Sequence, residues 1–282
     1  MKKKLFTIMF SALSFMPFFA HANESDYLYS TLWFQKAQEY KANTLSQYKL
    51  AKLMLDKAIL DKSWSAATSV QGKNYENKPL AVVLDLDETV INNSPFSAKL
   101  IADNKYYDDE AWNNWQKWVD AAIAPAIPGA LDFIKYAQEK NVTVFFVSNR
   151  IGTQEKATRK NLLSLGINLP KDIDTVLLKK EKKEWGSKKS TRRAHITKNY
   201  RIALLIGDNL GDFSDAYKGS LEDRDKIAFS KENINKWGEK WIILPNPLYG
   251  SWETSSYGSD YSLSRKDIRK KMIEKLDIWD GK

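Results

Sequence analysis

The chain has 282 residues, of which 43% are hydrophobic and 28% charged, and its formal net charge at pH 7 is +9. This composition excludes wholesale disorder and a collagen-like fibre, and the length is sufficient for a large buried core. There are no cysteines and only two histidines, His21 and His195. The sequence therefore excludes disulfide bridges, thiolate zinc sites, cysteine nucleophiles and histidine-cluster metal sites.

The first 22 residues have the pattern of a secretory signal peptide. Lysines at positions 2 to 4 precede an apolar run from Leu5 to Phe19, and Ala20-His21-Ala22 matches a cleavage signal. The alternative is an uncleaved membrane anchor, but the run is shorter than the roughly 20 residues of a spanning helix. We expect cleavage after Ala22 and a soluble exported protein, periplasmic or secreted. A bacterial lipid anchor needs a cysteine at the cleavage site, so no such anchor is expected.

Residues 23–78 are expected to form a helical N-terminal segment that packs on the core. The helical pattern extends over about residues 25–75, where Tyr48, Ala51, Leu55 and Ala58 recur at spacings of three and four and mark one apolar helix face. A polar stretch at 71–79 with glycine and proline then indicates a linker.

The rest of the chain, residues 79–282, has the rhythm of alternating strands and helices. Helical patterns run from Pro128-Gly129 to Lys140 and from Thr153 to Leu165. They separate short, continuous apolar runs of the kind found in strands buried on both faces, at residues 80–84, 142–147, 174–178, 202–206 and 241–244. The pattern predicts an α/β fold, a doubly wound parallel sheet with helices on both faces.

An insertion at about residues 94–127 separates the first two strands by more chain than one crossover helix needs. It is rich in aromatic residues, and three tryptophans at a spacing of three, Trp112, Trp115 and Trp118, would share one side of a helix. We expect a small cap. Its aromatic residues either anchor it to the core or line a pocket for a flat substrate group. Exposed aromatics here could also support a homodimer.

Polar residues follow three of the predicted strands. They lie at 85–89, 148–150 and 207–212, and the carboxyl ends of parallel strands meet at one edge of a sheet. Four carboxylates at such an edge are electrostatically costly unless a cation lies among them. An all-oxygen donor set favours a hard cation, with Mg²⁺ preferred over Mn²⁺ or Ca²⁺. The carboxylates are those of Asp85, Asp87, Asp208 and Asp212.

These motifs resemble those of a known superfamily. V-V-L-D-L-D-E-T at 82–89, Ser148 after the second strand, a lysine-rich stretch and G-D-N-L-G-D-F at 207–213 resemble the signatures of haloacid-dehalogenase (HAD) superfamily phosphotransferases. The chain more specifically resembles the secreted class C acid phosphatases, the lipoprotein e(P4) family of 5′-nucleotidases, over about residues 25–282. That narrower likeness rests on N-N-S-P at 92–95, V-S-N-R at 147–150, S-K-K-S-T-R-R at 187–193 and L-P-N-P-x-Y-G-x-W-E at 244–253. The best-known members carry a lipidated cysteine that this chain lacks.

The resemblance implies how the acidic residues act. Asp85 would attack phosphorus and form an aspartyl-phosphate, and Asp87 would protonate the leaving oxygen and later activate water. One Mg²⁺ would be held by Asp85, the backbone carbonyl of Asp87 and Asp208. Asp212 would orient metal-bound water or bind the metal directly.

The resemblance also implies which groups bind the phosphate. The Ser148 hydroxyl and the backbone N–H of Asn149 would contact a phosphoryl oxygen. Lys189, or the adjacent Lys188, would neutralise the phosphate and pair with the nucleophile. Arg150 either contacts the substrate or forms a local salt bridge. His195 and Glu88 are expected to be structural.

The function implied is Mg²⁺-dependent hydrolysis of small phosphomonoesters, nucleoside 5′-monophosphates above all, with no nucleic-acid partner. The base would stack on aromatics chosen from Phe96, Trp112 or Trp115, and Tyr249. One alternative is a non-catalytic secreted binding protein on the same scaffold. The other is a nucleic-acid 3′-phosphatase or phosphotransferase, which the basic run 179–193 favours.

Overall fold

The computed structural model describes residues 27–105 and 109–281, so the predicted signal peptide, Tyr106 and Tyr107 lie outside the described part of the chain. The strands are β1 (Leu80–Leu84), β2 (Thr143–Ile151), β3 (Val176–Lys179), β4 (Arg201–Gly207) and β5 (Trp241–Ile243). The helices are α1 (Leu28–Lys36), α2 (Gln38–Leu60), α3 (Ser94–Ala102), α4 (Asp109–Ala121), α5 (Ala130–Glu139), α6 (Glu155–Ser164), α7 (Ser190–Thr197), α8 (Leu221–Ala228), α9 (Ser251–Ser256) and α10 (Arg265–Ile273).

The strands form one parallel sheet in the order β3-β2-β1-β4-β5. β1 lies at its centre, and Val82 is in register with Val144 of β2 on one side and Leu204 of β4 on the other. The carboxyl ends of β2, β1 and β4 are therefore neighbours at one edge. This arrangement confirms the predicted α/β fold and brings the three polar segments together.

Both faces of the sheet are buried in apolar clusters. Val82 and Leu84 belong to a cluster that includes residues of α2 and α5, whereas Ala81 and Val83 belong to a second cluster on the opposite face. Alternate side chains of a strand point to opposite faces, so a strand covered on both sides has no polar alternation. This is why the strands appear in the sequence as continuous apolar runs.

The N-terminal helical pattern ends earlier than predicted. α2 stops at Leu60, and residues 61–79 form turns and extended chain instead of the helix expected up to about residue 75. The guanidinium of Arg201 explains the stop, because its Nη1 donates to the carbonyls of Ala58 (3.2 Å), Asp61 (2.7 Å) and Trp64 (2.9 Å). These bonds satisfy carbonyls that a helix end leaves without partners.

The insertion folds as α3 and α4. Phe96 and Leu100 of α3 form a small buried cluster of their own, against which Trp115 and Trp118 of α4 pack. Both tryptophans are only partly buried. No helix of the described residues is long and apolar enough to cross a membrane.

Candidate active site

The loop after β1 is wound tightly around one carbonyl oxygen. The backbone amides of Thr89 (3.2 Å), Val90 (2.8 Å) and Ile91 (2.9 Å) all donate to the carbonyl of Leu86. Glu88 adopts a left-handed conformation with φ of +57° to allow this turn. The loop therefore has a single compact shape that fixes the two aspartates on either side of Leu86.

Three carboxylates meet where β1 and β4 end. Oxygen atoms of Asp85, Asp208 and Asp212 lie within 4.8 Å of one another. The carboxylate of Asp212 is held by the backbone amides of Asp208 (3.1 Å) and Asn209 (2.9 Å). Gly207 makes this possible, because a Cβ at that position would overlap the Asp212 carboxylate. The loop sequence G-D-N-L-G-D thus places two acids that follow β4 beside the first acid that follows β1.

The carboxylate of Asp208 is oriented from two sides. Asn246 donates its Nδ2 to one oxygen (2.8 Å), and the hydroxyl of Thr89 donates to the other (3.0 Å). Both residues lie in the motifs described above, but no role was predicted for either. The P-N-P and D-E-T patterns carry no signal of where an amide or hydroxyl will point.

Lys189 is the cation of this cluster. Its buried Nζ lies 2.5 Å from Asp85 Oδ1 and 2.6 Å from Asp212 Oδ1. Lys188, the alternative, has an exposed side chain. Burial lowers the pKa of Lys189, but Asp212 and Asp85 outweigh that effect and the pKa is raised. The ammonium therefore stays charged beside the carboxylates.

Burial and the neighbouring acids also shift the pKa values of the carboxyl groups. Burial raises the pKa of Asp85 to about 7; Lys189 opposes this shift, and the negative charge of Asp212 adds to it. Burial and the neighbours Asp212 and Asp85 raise the pKa of Asp208 as well. Three carboxylates therefore lie beside a single lysine in a buried site. A hard divalent cation among their oxygens fits this donor set.

Asp87 forms an ion pair with Arg150. The guanidinium, which is only 4% exposed, donates from Nε (3.0 Å) and Nη2 (2.8 Å) to Asp87 Oδ1. The Ser148 hydroxyl donates to Asp87 Oδ2 (3.3 Å). Of the two roles considered for Arg150, the structure contains the local salt bridge. The predicted metal contact of Asp87 through its backbone carbonyl stays a prediction.

The carboxyl-terminal part of β2 is held in place by Arg192. Its guanidinium is fully buried and donates to the carbonyl of Ser148, to Asn149 Oδ1 (2.7 Å) and to the carbonyl of Gly186 (3.1 Å). Ser148 is buried and Asn149 is exposed. The neighbouring Arg193 donates to the carbonyl of Asp212 (2.7 Å). Both arginines lie in the motif S-K-K-S-T-R-R, in which only the lysines had a predicted role.

Glu88 and Tyr249 form a second buried contact near Asp87. The Tyr249 hydroxyl donates to Glu88, whose carboxylate also accepts from the backbone amide of Asn93 (2.7 Å). Burial and the negative charge of Asp87 raise the pKa of Glu88 to about 8. These contacts are those of a structural residue, the role expected for Glu88, which stays a prediction. Tyr249 uses its hydroxyl to support this loop, while its ring is half-buried.

The remaining aromatic candidates lie on the insertion. Phe96 is buried and meets the half-buried Trp115 edge to face, with ring centroids 5.3 Å apart. The Arg150 guanidinium lies 5.4 Å from the Trp115 ring. The side chain of Trp112 lies outside the described residues. His195 packs against Trp185 and has no part in the acidic cluster.

A parallel sheet with paired aspartates after its central strand, a serine near the carboxyl end of the neighbouring strand and a lysine among three carboxylates defines a phosphatase of the HAD type. The chain belongs to the HAD superfamily, subfamily IIIB (acid phosphatase), whose family model matches residues 19–252.

Solved structures and a curated relative agree with this assignment. The class C acid phosphatase from Bacillus anthracis is 35% identical, with a TM-score of 0.76 over 90% of this chain and 97% of that one. The same enzyme with tungstate bound gives 34% identity and a TM-score of 0.75 over the same shares of both chains. Acid phosphatase 1 of Solanum lycopersicum is 24% identical over 59% of this chain and 57% of its own length. The chain thus spans little more than half of that curated relative.

Proposed function

We propose that this acid phosphatase is an exported, Mg²⁺-dependent enzyme that hydrolyses small phosphomonoesters, nucleoside 5′-monophosphates in particular, through an aspartyl-phosphate on Asp85. The observation that carries the proposal is the contact of Lys189 with Asp85 and Asp212 inside the three-carboxylate cluster. A binding protein does not require three buried carboxylates around one lysine, an arrangement that is electrostatically unfavourable. Phosphoryl transfer does require charges that are fixed in position before the reaction.

The reaction we propose has two displacements. The Asp85 carboxylate attacks phosphorus and forms a new P–O bond, while the ester oxygen leaves and takes a proton from Asp87. Asp87 then removes a proton from water, the water oxygen attacks phosphorus, and phosphate leaves with Asp85 regenerated. The contacts of Asp87 with Arg150 and Ser148 support its role as the acid and base, because they fix the position of its carboxylate. In the chain, only Leu86 separates Asp87 from the nucleophile Asp85.

The phosphate is bound by groups from three elements. The Ser148 hydroxyl and the Asn149 N–H would contact phosphoryl oxygens, and Lys189 would neutralise charge on them. Asp85, Asp208 and Asp212 would hold Mg²⁺, and Asp87 would add its backbone carbonyl. Bound there, the ion supplies charge neutralisation between the carboxylate nucleophile and the phosphate.

The aromatic residues of the insertion support the proposed preference for nucleotides. Trp115 lies beside Arg150, which is bonded to Asp87, so a base stacked on Trp115 would extend from the reacting phosphate. Phe96 backs Trp115, and the ring of Tyr249 is only half-buried. Export is supported by the pattern of residues 1–22. A homodimer through the insertion stays a prediction.

The test is phosphate release from AMP at mildly acidic pH, by purified protein treated with EDTA and then supplied with Mg²⁺. We expect no turnover in EDTA and recovery with Mg²⁺. Folded protein that releases no phosphate from AMP, nicotinamide mononucleotide or p-nitrophenyl phosphate would favour the binding-protein alternative. Faster turnover of 3′-phosphorylated oligonucleotides than of AMP would favour the nucleic-acid 3′-phosphatase.

A further inference from the structure

We propose that Asn93 is a positioning residue that orients the carboxylate of Asp87, and that Trp118 of the insertion helix α4 holds Asn93 in place for this task. The inference rests on the proposed function, since it explains how the general acid is presented to the leaving group. It also makes that acid dependent on how the insertion sits on the core.

Both ends of the Asn93 side chain are engaged. The residue is 1% exposed, and its Nδ2 donates to Asp87 Oδ1 (2.8 Å) and to Glu88 Oε2 (3.3 Å). Its Oδ1 accepts from Trp118 Nε1 (2.8 Å) and from Arg150 Nη2 (3.4 Å). Carboxylates require a donor and the indole N–H requires an acceptor, so the amide has only one orientation that satisfies all its neighbours.

The contacts make the two oxygens of Asp87 unequal. Oδ1 accepts from Arg150 Nε (3.0 Å), Arg150 Nη2 (2.8 Å) and Asn93 Nδ2 (2.8 Å). Oδ2 has the longer contacts, with Ser148 Oγ (3.3 Å) and Arg150 Nε (3.2 Å). Three N–H groups thus hold Oδ1, and Oδ2 is the less constrained oxygen, the one that can exchange a proton with the leaving group. This is the oxygen beside Ser148, the proposed phosphate ligand.

Trp118 supplies the shorter of the two bonds that Asn93 Oδ1 accepts. Without the indole N–H, Oδ1 keeps only the 3.4 Å contact with Arg150, and the amide is free to turn its oxygen toward Asp87. That orientation sets an acceptor against a carboxylate and releases Oδ1 of Asp87. Because Trp118 belongs to α4, the orientation of the Asp87 carboxylate depends on how the insertion packs on the core.

The backbone of Asn93 is fixed independently of its side chain. Its backbone amide donates to Glu88 Oε1 (2.7 Å). Two residues earlier, the backbone amide of Ile91 donates to the carbonyl of Leu86 (2.9 Å). A substitution of the Asn93 or Trp118 side chain therefore leaves the backbone hydrogen bonds of the loop after β1 in place. This separates a positioning effect from collapse of the site.

The experiment compares two substrates that differ in their need for a general acid. Glycerol 2-phosphate has an alkoxide leaving group that must be protonated, whereas the 2,4-dinitrophenolate of 2,4-dinitrophenyl phosphate leaves without a proton. In Trp118→Phe we expect kcat/KM for glycerol 2-phosphate to fall about tenfold and that for the aryl ester to change less than about twofold. In Asn93→Ala we expect a fall of about 100-fold on the alkyl ester alone.

The ratio of the two kcat/KM values does not depend on how much of a variant is folded, so partial misfolding cannot imitate the result. The matched control is Trp237→Phe, which removes an indole N–H that donates to the carbonyl of Ala228 (2.7 Å) and should leave the ratio unchanged. Equal losses on both substrates in Trp118→Phe and Asn93→Ala would overturn the positioning role. A wild-type protein inactive on both esters would instead refute the proposed function itself.

Discussion

Replacing Lys189 by methionine removes one charge and keeps most of the side-chain volume. The ammonium makes two ion pairs, at 2.5 Å with Asp85 and 2.6 Å with Asp212, and it is buried. Loss of one partner of a buried ion pair costs about 3–5 kcal/mol of unfolding free energy, because the other charge remains uncompensated. Loss of one preorganised electrostatic group lowers the rate by about 10²- to 10³-fold. We expect both effects in Lys189→Met.

The assays are urea unfolding in EDTA and kcat/KM for p-nitrophenyl phosphate with Mg²⁺. Lys188→Met is the matched control, because the adjacent lysine is exposed and should change neither quantity by more than about 0.5 kcal/mol or twofold. If Lys188→Met loses activity and Lys189→Met retains it, the assignment of the phosphate-binding lysine is wrong.

Three further changes test other parts of the site. The pKa of Glu88 is raised from 4.5 to about 8, so ionisation of its carboxyl costs stability as pH rises from about 4.5 to 8; Glu88→Gln should flatten the fall in urea midpoint between pH 5 and 8 in EDTA. Arg150→Lys loses the paired contact with Asp87, so kcat for AMP should fall about tenfold at nearly constant KM. Gly207→Ala places a Cβ on the Asp212 carboxylate and should weaken Mg²⁺ binding, measured calorimetrically, by more than about tenfold.

Each of these has an outcome that contradicts it. An unchanged pH dependence in Glu88→Gln would mean that the carboxyl titrates normally. A raised KM with normal kcat in Arg150→Lys would mean that the arginine binds substrate. Gly186→Ala is the control for the glycine change, since an added Cβ there meets nothing within 4 Å; equal Mg²⁺ affinity in both variants would refute the steric argument.

The fold could be predicted because a strand that is buried on both faces appears in the sequence as a continuous apolar run. The run at 80–84 coincides with β1, and the run at 202–206 lies inside β4. The end of α2 could not be predicted, because it depends on Arg201, which is 141 positions beyond Leu60 and donates to carbonyls there. Local periodicity contains no information about a partner so distant.

The site was predictable where residue type alone decides the chemistry. Asp85, Asp208 and Asp212 follow buried strands, so their convergence followed from the parallel sheet. Asn93 and Trp118 were not predicted in their present roles. An amide that bonds a carboxylate on one side and an indole on the other has no sequence signal beyond its place in the motif N-N-S-P, and its partner lies 25 residues away.

The most direct test of the proposed mechanism is acid quenching of the protein during turnover of ³²P-labelled AMP with Mg²⁺. We predict a covalent label that survives acid, is released by hydroxylamine as expected for an acyl phosphate, and maps to the peptide containing Asp85. The variant Asp85→Asn should fold, bind AMP and carry no label. Rapid turnover without any label in the wild type, or an equal label in Asp85→Asn, would contradict the account.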